Sequence, residues 1–304
     1  MQKPKKKIIG FWLLAIVAPS ILLMIGIQLS SNTSFDIDKI RPSSNFSFQS
    51  AKADSQAEIE KLRLIVAQPF TFLAEGSDSY VFVSQDQRHV IKFFKMRRMT
   101  PKYWLNYIPI PWLDTKRLSK ISERERARLE TFGSLKTAYE QFRYQTGLVF
   151  LHLFKTKYLK MKISVVDADG VEHRVPLDKV PFVIQKKTVM LSDYIKTLVS
   201  EGHESEAIQS LCKVLVLVKD RCQHGFADYS ERVEEEYGFI EGRPIHVSGG
   251  CILADETYKS ARSTLREVFR VSRSIEAWLQ NSNPSLVVGF QDEVEDLLSF
   301  LERD

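Results

Sequence analysis

Apolar and polar positions alternate most regularly from Thr71 to Lys95, TFLAEGSDSYVFVSQDQRHVIKFFK, and the pattern predicts strand, tight loop, strand, polar turn, strand. Before the turn at Gln85–Gln87, Tyr80 and Phe82 share one side of the second strand and Val81 and Val83 the other. After the turn, Val90, Ile91, Phe93 and Phe94 surround Lys92. A lysine inside such a strand is costly to bury unless an anion accompanies it. A nucleotide phosphate, a glutamate, or both could be that anion.

Around this unit the pattern changes period. Gln56–Val66 has the spacing of a short lead-in helix, and a longer helix is predicted from Leu118 to about Phe154, with Leu129, Phe132, Leu135, Tyr139, Phe142 and Leu148 as its buried stripe. Between them, Met99–Leu113 holds three prolines and cannot be helical throughout. Met161–Val166 and Val171–Leu177 flank an Asp-Gly pair and predict a hairpin, followed by a strand from Pro181. Leu191–Val199 reads as a short helix with Ser192 as its candidate cap. Glu204–Gln223 is a helix turning Ile208, Leu211, Leu215 and Val218 inward. A hairpin with its turn at Glu241-Gly242 comes next, and helices over Glu256–Gln280 and Asp292–Glu302 close the chain. Mostly strands first and helices later, without a repeat at fixed period, predicts an α+β fold with two lobes.

Composition sharpens the picture at the amino terminus. The 304 residues, 44% of them hydrophobic, are enough for a full core. Of the net charge of +5, about four charges belong to Lys3, Lys5, Lys6 and Lys7, so the body is close to neutral and no nucleic-acid partner is expected. Ile8–Ile27 carries no charge and is long enough to cross a bilayer as a helix. The basic flank places the amino terminus in the cytoplasm and the body on the far side, a single-pass membrane protein whose partner through residues 8–27 is the bilayer. The expected organisation is a basic flank and anchor over 1–28, a flexible tether over 29–55, a β-rich lobe over 56–188 and a helical lobe over 189–304. Cys212, Cys222 and Cys251 have neither disulfide nor metal-ligand spacing, and no metal site is expected.

Taken together, the order of elements and several short motifs resemble the protein-kinase-like fold, as a divergent, bacterial, membrane-anchored, pseudokinase-like member. The glycine loop GxGxxG of that family matches Ala74, Gly76 and Ser79, followed by Tyr80 and Val81, so one glycine of the three is kept. Val90-Ile91-Lys92 resembles the strand lysine of the family. By the same resemblance Glu140 is the glutamate that pairs with Lys92, with Glu130 as second choice. Gly76, Ser77, Lys92 and Gln185 would then line a degenerate nucleotide cleft, with Phe182–Gln185 as the strand leading to the hinge between the lobes. In His224-Gly225-Phe226-Ala227-Asp228, Asp228 aligns with the catalytic base, possession of which the resemblance leaves open to being vestigial.

Two further positions depart from the family. Glu236 stands where a metal-binding asparagine is usual, and Ser248 occupies the place of the metal-binding aspartate. A divalent ion bridging phosphates wants carboxylate oxygens, and losing one removes several kcal/mol of transition-state stabilisation. The resemblance therefore implies a catalytically impaired binding or scaffolding module with an unknown protein partner and no assigned cofactor. The alternative is an active phosphotransferase that uses ATP and magnesium through an altered metal site.

Overall fold

The computed structural model describes residues 35–42, 55–100, 114–228, 232–248 and 252–301. In chain order the helices are α1 (Ile37–Ile40), α2 (Gln56–Val66), α3 (Met96–Met99), α4 (Asp114–Gln141), α5 (Arg143–Thr146), α6 (Leu191–Ser200), α7 (Glu204–Gln223), α8 (Val233–Glu236), α9 (Ala261–Ser282) and α10 (Val287–Leu301). The strands are β1 (Phe70–Glu75), β2 (Ser79–Ser84), β3 (His89–Phe94), β4 (Leu148–His152), β5 (Lys162–Val166), β6 (Glu172–Pro176), β7 (Phe182–Lys186), β8 (Val189–Met190), β9 (Phe226–Asp228), β10 (Tyr237–Ile240), β11 (Arg243–His246) and β12 (Ile252–Ala254). The fold is α+β: all seven strands of the main sheet precede Lys187, with the long helix α4 among them, and the helices α6, α7, α9 and α10 follow it with the short strands β8–β12.

Seven strands form one sheet in the order β4-β7-β3-β2-β1-β5-β6. All neighbours are antiparallel except β1 and β5, which meet in parallel at Phe70–Val165 and Thr71–Val166. Period-2 alternation sends Phe70, Tyr80, Phe82, Ile91, Phe93, Phe182 and Ile184 into one core. Phe94, Val183, Leu148 and Leu151 turn to the other face, where Phe132, Leu135 and Ala138 of α4 cover them. A third core joins α6, α7, α9 and α10 through Ile195, Leu211, Leu215, Val218, Val268, Val271, Ile275 and Phe290.

Three expectations require revision. The predicted helix to Phe154 ends earlier: α4 stops at Gln141, Gly147 turns the chain with φ of 66°, and Leu148–His152 is strand β4. The five residues of β4 are all buried, so the run lacks alternation and reads equally well as helix. Within the expected tether over 29–55, residues 35–42 pack against the body. Phe35 and Ile40 are buried in the first core, with the Phe35 ring edge-on to Tyr80 and Phe82 at 5.3 and 5.0 Å, because these apolar residues plug the concave face of the curled sheet.

The membrane assignment is the third. Among the described residues no helix is long and apolar enough to cross a membrane, and the expected span Ile8–Ile27 lies outside them. The longest helix of the last core, α9, carries charge along its outer face with Arg262, Arg266 and Arg273. The bilayer partner, the single-pass localisation and the placement of the body on the far side are therefore not retained. The proline-rich residues 101–113 also lie outside the described residues.

Candidate functional site

Strand β3 lies between β2 and β7, which aligns Lys92 with Val81 on one side and Val183 on the other. Its Nζ leaves the sheet edge-on to the helical lobe and donates to the Val247 carbonyl at 3.2 Å. Val247 is held there because its own N–H donates to the Glu236 carbonyl at 2.7 Å, extending the β10–β11 ladder by one bond. Gln185 of β7, fully buried, donates from Nε2 to the same Val247 carbonyl at 3.2 Å and to the Thr146 carbonyl at 2.6 Å. Burial lowers the Lys92 ammonium to about 8, against the opposing pull of the Glu236 carboxylate.

The expected Lys92–Glu140 pair is not formed. Glu140 is exposed near the end of α4, and Glu130 is paired with Arg126 on the outer face of the same helix at 3.6 Å. The carboxylate that reaches Lys92 electrostatically is Glu236, one residue before β10. Burial raises the Glu236 carboxyl above the ordinary range, partly offset by His246 and by the Ser248 hydroxyl that hydrogen-bonds to it. Its Oε2 is buried without a hydrogen-bond partner among the described residues. Lys92, Glu236 and Ser248 thus meet at one place between the lobes, and Glu140 does not.

Asp228 sits next to this group but is turned away from solvent. Antiparallel pairing of β9 with β12 sets Asp228 opposite Ile252, and the β10–β11 hairpin sets His246 opposite Tyr237. Positive φ at both Glu241 and Gly242 makes that hairpin turn, which fixes the register. Asp228 Oδ2 accepts from Arg221 Nη1 at 3.0 Å and from His246 Nε2 at 2.7 Å, so the bond to the carboxylate fixes the proton on that ring nitrogen. Arg221 Nη2 reaches Glu267 at 2.8 Å, its Nη1 reaches the Tyr237 hydroxyl at 3.3 Å, and Arg270 donates to the Asp228 carbonyl at 3.2 Å. Burial pushes the Tyr237 phenol up, so it stays a neutral partner. Arg221, Asp228, His246 and Glu267 are all under 5% exposed, which makes this a sealed ionic cluster. A cavity of about 10 Å³ beside Arg221 and His246 has room for roughly one water.

At the far end of β1 the loop Gly76-Ser77-Asp78 is closed on itself. The Gly76 N–H donates to the Ser79 carbonyl at 2.9 Å, and the Lys95 N–H donates to the Asp78 carbonyl at 2.8 Å. Lys95 Nζ donates to the Gly76 carbonyl at 2.6 Å, pairs with Glu75 at 2.8 Å and stands 4.9 Å from the Tyr80 ring centre. Gly76 and Ser77 are exposed, and the loop offers the Asp78 carboxylate beside them. A phosphate cradle needs inward N–H groups free to donate and no fixed anion beside them.

A magnesium–nucleotide complex does not fit these residues. The loop amide of Gly76 is already used, Ser248 brings a neutral hydroxyl, burial works against the charge on Glu236, and Asp228 is shared by two cationic or N–H donors. Sequence reasoning placed Asp228, Glu236, Ser248 and Lys92 but missed Arg221, His246, Glu267 and Lys95. Arg221 and Glu267 were legible in principle: each holds a charge at a position where its helix points apolar residues inward, next to Val218 and Cys222 and next to Thr264, Val268 and Val271. Two opposite charges at such positions predict one buried pair.

No protein-family model and no curated protein matches the chain. The comparisons thus support neither the kinase-like family nor the bacterial source that the motifs led one to expect, and the bacterial assignment is dropped.

Proposed function

We propose that the chain is a two-lobed, protein-kinase-like domain impaired in phosphotransfer and used as a binding or scaffolding module. The resemblance is supported by the β3 lysine placed between β2 and β7, by the helix α4 packed against β4, and by the passage from β7 into a helical lobe that carries Asp228 and Ser248. Impairment is supported above all by the Asp228 carboxylate, which is sealed between Arg221 and His246 rather than aimed at a cleft. A catalytic base has to reach the proton of an attacking hydroxyl, and a carboxylate held by an arginine is a weak base. Retained residues then lie at the junction of the lobes, where Lys92 and Gln185 both donate to the Val247 carbonyl.

Thermal-shift titration of the full chain with ATP and magnesium, together with a phosphate-transfer assay, tests the reading. No metal-dependent stabilisation and no transfer above that of Lys92→Met is the expected result. Stabilisation that requires magnesium, with transfer abolished in Lys92→Met, would establish the active phosphotransferase instead.

A further inference from the structure

Helix α9 separates its charges by sign. Its two acids are turned inward and consumed: Glu267 by Arg221 and Arg270, Glu276 by Arg273 at 2.6 Å. Its outer face keeps Arg262 and Arg266, both exposed, and among the described residues neither has an acidic partner within ion-pair distance. These two arginines lie four residues apart and so share a face, and Phe269 continues that stripe one turn further with about half its surface exposed (52%). Leu265 lies between them, and Leu298 of α10 forms the opposite wall. Together these residues line an open groove of about 710 Å³.

We infer that this groove docks an acidic amphipathic helix of a partner protein. Arg262 to Phe269 spans roughly 10 Å at 1.5 Å per residue, about two helical turns, which suits anchors spaced i, i+3 or i+4 and i+7. An exposed phenylalanine and two arginines around a leucine-walled depression is also the composition of binding hot spots, where aromatic and Arg side chains carry most of the energy. The sign of the charge selects the occupant. The chain's own amino-terminal stretch holds Lys3, Lys5, Lys6 and Lys7, so its charge repels that of the groove. A partner helix with Asp or Glu beside a Leu or Phe stripe supplies carboxylates to Arg262 and Arg266, which have no acidic partner among the described residues, in the bidentate geometry that suits a guanidinium group. The inference stands apart from the kinase-like reading, because neither Lys92 nor Asp228 touches this surface.

The probe is a designed, dye-labelled helical peptide with Glu residues flanking a Leu/Phe stripe, compared with a Lys-for-Glu version and a scramble of the same composition. Fluorescence anisotropy is read against the full chain. The expected result is salt-sensitive binding of the acidic helix alone, weakened roughly tenfold or more in Arg262→Ala/Arg266→Ala and in Phe269→Ala. All three residues are surface residues, and circular dichroism with a urea melt checks that the variants remain folded. Equal binding of the three peptides, binding untouched by either variant, or no binding at low salt would overturn the inference. Concentration-dependent self-association lost in Phe269→Ala would overturn it in favour of a second copy of the chain.

Discussion

Arg221 Nη1 stands 3.0 Å from Asp228 Oδ2, and both side chains are almost wholly buried. A pair in that setting is a structural commitment: removing one member leaves the other charged, desolvated and short of a partner. Asp228→Ala should therefore cost about 3–5 kcal/mol of unfolding free energy in urea melts. Asp228→Asn, which keeps the shape and one acceptor, should cost less. A loss within about 0.5 kcal/mol for the alanine variant would mark Asp228 as a solvent-facing residue and sink the sealed-cluster account.

Lys92 behaves in the opposite way. Its ammonium form is disfavoured in the folded protein, at about 8 against 10.5 unfolded, so the unfolded chain binds more protons between those values and stability contributed by this group rises as pH climbs through them. Lys92→Met should be as stable as the parent or more so at pH 7, by on the order of 1–3 kcal/mol. That advantage should shrink on going from pH 8 to 10.5. Urea midpoints of both proteins at the two ends of the window decide it, and a variant that is clearly less stable at pH 7 contradicts the assignment.

His152 of β4 adds an acid limit. It is buried between Phe154 and Phe182, neither ring nitrogen has a partner among the described residues, and burial lowers it to about 4 despite the attraction of Asp178. The unfolded chain takes up the proton first, so stability is intact above about 6.5 and falls as pH drops towards 4, by up to about 3 kcal/mol. His152→Phe, which suits the aromatic surroundings, should lose this part of the slope. Equal pH dependence of parent and variant between 4 and 6.5 would show that His152 is not responsible.

Phe35 is the fourth test. Its ring meets Tyr80, Phe82 and His173 inside the curled sheet, and the residue is only 4% exposed. Phe35→Ala should cost about 3–5 kcal/mol, read as a lower urea midpoint. An unchanged midpoint would return residues 35–42 to the role of a passive tether.

These residues also show where sequence and structure part company. The strands around Lys92 announced themselves as short apolar runs bounded by polar turn residues, β2 keeping part of its alternation while β3 is buried on both faces; α2 and α7 did so because a single stripe is buried at period 3.6. β4 hid inside a predicted helix because all its positions are buried, which erases periodicity. Phe35 and Ile40 hid in a serine-rich stretch because two apolar side chains carry no period at all. Within the site, Lys92 was legible as an odd charge among apolar residues, and Asp228 only through the resemblance of His224–Asp228 to the catalytic loop of the kinase-like family. The partner of Lys92 was not, since Glu236 lies 144 positions away along the chain and only the turn at Glu241-Gly242 and its ladder bring it back.

The shared acceptor at Val247 has a mechanical corollary. Two donors from the sheet, Lys92 and Gln185, end on one carbonyl of the helical lobe, and that peptide is itself tied to Glu236. Swinging the lobes apart breaks both links in a single motion: the Lys92 ammonium loses the Val247 carbonyl, and the Gln185 amide keeps only that of Thr146. A single carbonyl therefore serves as the common end of both links, and whatever displaces Val247 displaces both.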